Sequence, residues 1–132
     1  MANWIILIFV GGAFGAMCRE FIMLLIPPVL GGFPLDIFIA NMLASFLLGL
    51  STSFHRRVII HHHVHTMVGT GIMGGMSTFS SYIYGSVTML KTPGEWLLAC
   101  AYLLLSVVLG FAMVMLGLYL AKKTQANSAR KN

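Results

Sequence analysis

Gly71-Ile72-Met73-Gly74-Gly75-Met76-Ser77-Thr78-Phe79-Ser80-Ser81-Tyr82 decides how this chain is read. It lies in the middle of an apolar segment running from about Val64 to Leu90, which also holds Gly69. Paired glycines followed by a dense run of hydroxyls are poor material for the centre of a spanning helix. The backbone is therefore expected to break here. Freed N–H and C=O groups cannot face lipid, so the protein, water or an ion must satisfy them. Helices broken at mid-membrane are where small transporters and channels set ion sites. A glycine-rich hinge without a ligand would give the same pattern.

The rest of the chain supplies the membrane setting. Of 132 residues, 58% are hydrophobic and 8% charged, and the mean hydropathy is +0.91. A soluble domain carries roughly 25% charged residues. A spanning helix needs about 20 apolar residues, so the length allows about four spans with short loops. Further apolar segments run from about Trp4 to Ile26, from Leu35 to Phe54, and from Thr92-Pro93-Gly94 to Lys122-Lys123. Pro27-Pro28 closes the first, and Pro93 is expected in the first turn of the last. The expected helices cover about 4–26, 35–54, 64–90 and 94–121, with a polar basic tail over 124–132. Gly15-Ala16-Met17-Cys18 is faintly like a lipoprotein signal, but no Lys or Arg precedes the stretch and three more spans follow. It reads as a retained helix. Cys18 and Cys100 read as small apolar residues.

Small residues recur at helical spacing: Gly11 and Gly15 with Arg19, then Asn41, Ser45, Gly49 and Ser53, then Tyr102, Ser106 and Gly110. In lipid such seams let backbones approach closely. The glycines are read as packing. Asn41 is not, because a buried amide needs partners or a polar path.

Taken together, these pieces resemble the CrcB or Fluc family of small bacterial fluoride channels. Three motifs carry the resemblance, in order and across nearly the whole chain: Gly11-Gly12-Ala13-Phe14-Gly15-Ala16-Met17-Cys18-Arg19, Asn41-Met42-Leu43-Ala44-Ser45-Phe46-Leu47-Leu48-Gly49, and the Gly71–Tyr82 stretch. The resemblance implies an all-α membrane protein of four transmembrane helices with the third broken, forming a dimer of oppositely oriented subunits. It implies two fluoride pores along the dimer interface and a central sodium ion held by backbone carbonyls, which map to Gly74 and Ser77. The pore aromatics map to Phe79 and Tyr82, and the pore asparagine to Asn41. A polar track would use Ser80, Ser81, Tyr102 and Ser106. Two positions depart from the family pattern: Ile37 stands where threonine is usual, and Tyr82 where phenylalanine is usual.

The chemistry of these residues suits the same task. Fluoride is small and holds its water tightly, so a pore must replace strong hydrogen bonds. Hydroxyls and the Asn41 amide can donate them. The edge of an aromatic ring is partially positive, so Phe79 can present C–H groups to an anion. Conduction needs weak, multi-site binding, which places a full charge such as Arg19 at a vestibule. A snorkelling arginine, or one paired with Glu20, is the alternative.

Topology adds a partner. Arg56 and Arg57 follow the second segment, and Lys122, Lys123, Arg130 and Lys131 follow the fourth. With four spans these six share one side, against Lys91 and Arg19 on the other. The positive-inside rule puts both termini in the cytoplasm of a multi-pass protein of the bacterial cell membrane. A homodimer of opposed subunits should carry little bias, so a homologous chain of opposite bias is the favoured partner. The basic residues flank apolar spans, which points to topology and not to nucleic acid. His61-His62-His63-Val64-His65 reads as a cytoplasmic loop in preference to a metal site. A proton-coupled drug exporter would need an embedded carboxylate, for which only Glu20 is a candidate, and a non-conducting partner subunit would have no need of Phe79, Ser80 and Asn41. No nucleophile, base and orienting group occur together, so no enzyme is expected.

Overall fold

A computed structural model describes residues 2–26, 32–55, 64 and 66–129. Among them every regular element is helical: α1 (Ala2–Leu25), α2 (Leu35–His55), a π-helical turn (Met67–Ile72) running directly into α3 (Met73–Met76), α4 (Phe79–Lys91) and α5 (Trp96–Ala129). Three helices are long and apolar enough to cross a membrane, over Trp4–Leu25, Leu35–Thr52 and Trp96–Thr124. The segment between them is divided into the π turn, α3 and α4. The His61–His65 run lies outside the described residues except for Val64, as do Arg56 and Arg57.

Two tight helix pairs organise the bundle. In the first, α1 runs alongside the π turn and α3 in the same direction. A Cβ on Gly11 would come within 2.7 Å of the Met67 carbonyl oxygen, and one on Gly15 or Gly75 would overlap the carbonyl oxygen of Ile72 or Gly12. In the second, α2 runs alongside α5, with Gly49 against the Val114 carbonyl and Gly117 against that of Phe46. Gly11, Gly15 and Gly49 pack as their spacing suggests. In α5 the tight contact falls on Gly117, whereas Gly110 keeps ordinary distances to Met42 and Ser45.

Two boundaries differ from the sequence reading. Pro93 stands outside α5, at the second position of a turn in which the Glu95 N–H reaches the Thr92 oxygen at 3.2 Å. Gly94 follows with φ +88°, the positive φ that this turn type requires at its third position. At the other end α5 continues past Lys122-Lys123 to Ala129. The hydrophobic stretch ends near Thr124, but Lys, Gln and Ala are good helix formers, and the Thr124 hydroxyl donates back to Leu120 O at 2.9 Å. The part of the expected tail up to Ala129 is therefore helix.

The interior is small and largely aromatic near α4 and α5. Tyr102 and Met89 are fully buried. The Phe33 ring meets Tyr102 edge-on at 5.2 Å, and Tyr82 lies 5.3 Å from Tyr102. Large apolar side chains such as Phe9 and Leu24 point outward, at 76% and 84% exposed. That is the pattern of a bundle whose solvent is lipid.

Candidate ion site

The site begins with how α3 ends. The Ser77 N–H closes the last turn onto Met73 O at 3.0 Å. The chain then extends, with Ser77 at φ −78°, ψ 150° and Thr78 at φ −141°, ψ 114°. Asn41 of α2 bridges this gap. Its Oδ1 accepts the Thr78 N–H at 2.7 Å, and its Nδ2 donates to Thr78 O at 3.2 Å. The acceptor requirement of the Thr78 N–H fixes which way the amide faces. Thr78 in turn caps α4: its hydroxyl oxygen accepts the Ser81 N–H at 3.2 Å, as N-cap threonines do. The same hydroxyl donates to Ser81 Oγ at 3.0 Å and lies 3.4 Å from Ser80 Oγ.

These side chains change the state of two carbonyls. In an unbroken helix the Gly74 carbonyl would accept the Thr78 N–H, and that of Ser77 the Ser81 N–H. Both amides are bonded to side chains instead. Gly74 and Ser77 are exposed, and a Cβ on Gly74 would meet nothing within 4 Å. The two residues thus lie on an exposed face, and both line a cleft of about 170 Å³. Among the described residues no three His, Cys, Asp or Glu side chains gather, and backbone oxygens are the hard donors present.

A second cavity, of about 270 Å³, adjoins the break. Asn41, Ser77, Phe79, Tyr82 and Ser106 all line it, so the structure brings these five expected residues together. Phe79 is 75% exposed, its ring 5.9 Å from that of Tyr82. Tyr82 turns its hydroxyl away, donating to Leu103 O at 3.0 Å. Ser106 Oγ is buried without a hydrogen-bond partner among the described residues. The Tyr102 hydroxyl is equally orphaned, but its ring sits in the aromatic core and does not line the cavity. Ser81 faces Thr78, and Ser80 is exposed beside it. Ile37 is buried one turn before Asn41. Arg19 pairs with its neighbour, Nη2 lying 3.1 Å from Glu20 Oε1, and neither lines the cavity. This is the pairing raised above as the alternative to a vestibule charge.

Two polar residues were not singled out by their sequence. Thr78 is the hub of the break, and a threonine directly before a helix start is a favoured N-cap residue. Ser45 lines both cavities, and only its spacing of four from Asn41 marks it. The assembled groups are neutral donors, an aromatic edge and freed carbonyls. They can replace the hydration of a small anion and hold a hard cation, with no fixed charge lining either cavity.

The chain is similar to known proteins over nearly its whole length. The family model described as CrcB-like protein, Camphor Resistance (CrcB) matches residues 6–118. A Yersinia pseudotuberculosis protein named Fluoride-specific ion channel FluC 3 is 59% identical over 123 residues, covering 93% of this chain and 92% of the relative. One from Desulfotalea psychrophila, named Fluoride-specific ion channel FluC, is 35% identical over 90% of this chain and 92% of its own length. Fluoride-specific ion channel FluC 1 of Brucella abortus is 51% identical over 94% of this chain, which spans about half of that longer relative, 46%.

Proposed function

The chain belongs to the CrcB-like family, and from that premise we propose that it is a subunit of a fluoride-specific ion channel, which lets fluoride leave the cell passively and so lowers its cytoplasmic concentration and toxicity. It is a multi-pass membrane protein of a channel family and not an enzyme. The observation that carries the fluoride reading is the cavity at the helix break, which Asn41, Ser77, Thr78, Phe79 and Ser106 line together.

The groups act in complementary ways. Ser106 Oγ, with no protein partner, is a donor ready for an anion or its water. The second N–H of the Asn41 amide remains after the bond to Thr78. Phe79 and Tyr82 offer ring edges. Each interaction is weak alone, which lets an ion leave as readily as it enters. With Arg19 engaged by Glu20, no full positive charge lines the cavity to trap fluoride.

The π turn, α3 and α4 would cross the membrane together as a fourth span. The exposed Phe79 and the open face at Gly74 support an arrangement in which a second subunit, inverted, covers this surface. The carbonyls of Gly74 and Ser77 fit a structural sodium ion there. Unwound backbone oxygens are its usual ligands in such folds, and it would tie the breaks of two subunits together. Both termini would be cytoplasmic, and the Lys and Arg bias favours a homologous chain of opposite bias as partner over a second copy. A reporter fused to the C-terminus tests orientation: cytoplasmic signal alone is expected, and equal signal on both sides would make the pair a homodimer.

Fluoride release from liposomes containing the protein, with chloride release measured beside it, tests the function. Rapid fluoride release without chloride is expected. If neither this chain alone nor the chain with a homologous partner of opposite bias releases fluoride, the channel reading is wrong.

A further inference from the structure

We propose that Ser45 is a fluoride-binding donor of the ion path, seated where the cavity beside Phe79 meets the cleft beside Gly74 and Ser77. The inference rests on the channel reading above and adds a residue to it. Ser45 and Ser77 are the two residues that line both cavities. Ser45 lies one helical turn after Asn41, whose amide bonds the Thr78 backbone and keeps one N–H. Ser45 is the hydroxyl that α2 adds to the cavity beside it.

Its hydroxyl behaves unlike others in the bundle. Serines and threonines in helices commonly fold back onto a carbonyl three or four residues earlier. Ser51 and Thr52 do so onto Leu48, at 3.2 and 2.8 Å, and Ser86 does so onto Tyr82 at 2.8 Å. Ser45 makes no such bond among the described residues. It is half-buried, and its Oγ faces Gly110 of α5, where a Cβ would lie 3.7 Å away. The missing side chain at Gly110 keeps that space open. One turn earlier on α5, Ser106 brings the orphaned Oγ to the same cavity. Two hydroxyls from facing helices thus wall one space, and neither is bonded to protein. A small, strongly hydrated anion fits that pair: each hydroxyl replaces one water, and neither adds charge.

The test is fluoride release from liposomes by the assembled channel, comparing Ser45→Ala and Ser45→Thr with the unchanged protein, and confirming assembly by size-exclusion chromatography. A hydrogen bond to an ion is strong enough that losing it should slow release about tenfold. Ser45→Ala should show that loss while remaining assembled, and Ser45→Thr should stay within about threefold because it keeps the donor. Should Ser45→Ala not assemble, Ser45→Cys, which keeps the volume and weakens the donor, is held to the same expectation. Unaltered release by the variant lacking the donor overturns the assignment, as does equal loss in the alanine and threonine variants, which would mark a packing role. Those outcomes leave the channel reading standing. If the unchanged assembly itself releases no fluoride, the channel reading fails, and Ser45 with it.

Discussion

Asn41 and Thr78, separated by 37 residues, exchange two hydrogen bonds of 2.7 and 3.2 Å that tie α2 to the break between α3 and α4. The amide does for the extended backbone what the next helical turn would otherwise do. Asn41→Ala leaves a largely buried N–H and C=O without partners, each costing about 1–3 kcal/mol. A marked fall in the thermal midpoint of the protein in detergent is expected, together with loss of fluoride release. Asn41→Asp keeps the acceptor for the Thr78 N–H and should unfold at a higher temperature than Asn41→Ala. Its carboxylate would face the cavity and repel fluoride, so release should still be lost. Normal fluoride release by Asn41→Asp would exclude an anion path along this wall.

Thr78 starts α4 through its hydroxyl, which accepts the Ser81 N–H. Losing an N-cap of this kind costs about 0.5–2 kcal/mol. Thr78→Val keeps the shape and removes the cap, so its unfolding midpoint should fall, while Thr78→Ser should stay near the unchanged protein. Equal midpoints for the valine and serine variants would show that the cap contributes nothing to the break.

The sequence announces the break because its signal is local: glycines and hydroxyls crowd into twelve residues between apolar flanks. The grouping of Asn41, Phe79, Tyr82 and Ser106 was legible through motif resemblance. The use made of each side chain was not. That Asn41 clamps backbone, that the Tyr82 hydroxyl turns to Leu103, and that Tyr102 packs in the core are decided by contacts between α2, α4 and α5. Residue spacing along one helix carries no information about those contacts. The end of α5 lies beyond the hydropathy boundary for a related reason. Hydropathy reports where lipid would end, whereas helix continues wherever propensity allows.

Tyr82 departs from the phenylalanine usual at its position, and its hydroxyl explains how the departure is accommodated. The O–H is spent on Leu103 O, a residue that does not line the cavity, while the ring stays beside Phe79 at the cavity wall. Tyr82→Phe should cost about 1 kcal/mol of stability and leave fluoride release within about threefold. A loss of release as large as that of Phe79→Ala would mean that the hydroxyl itself contacts the ion.

The glycines separate packing within the chain from contact outside it. A methyl group on Gly15 would overlap the Ile72 carbonyl oxygen, and backbone on both sides leaves nowhere to move. Gly15→Ala should fail to give folded protein. Gly74→Ala sets its methyl in open space and replaces a poor helix former by the best, a gain of about 1 kcal/mol within the helix. By its own contacts the chain should fold with this change. If the face at Gly74 is covered by a second subunit, the same methyl enters a close interface beside the freed carbonyls. Gly74→Ala should then yield folded monomers by size-exclusion chromatography, with no fluoride release and no stabilisation by sodium. Assembly and release equal to the unchanged protein would show that this face stays open, and would remove the carbonyls of Gly74 and Ser77 from the dimer centre.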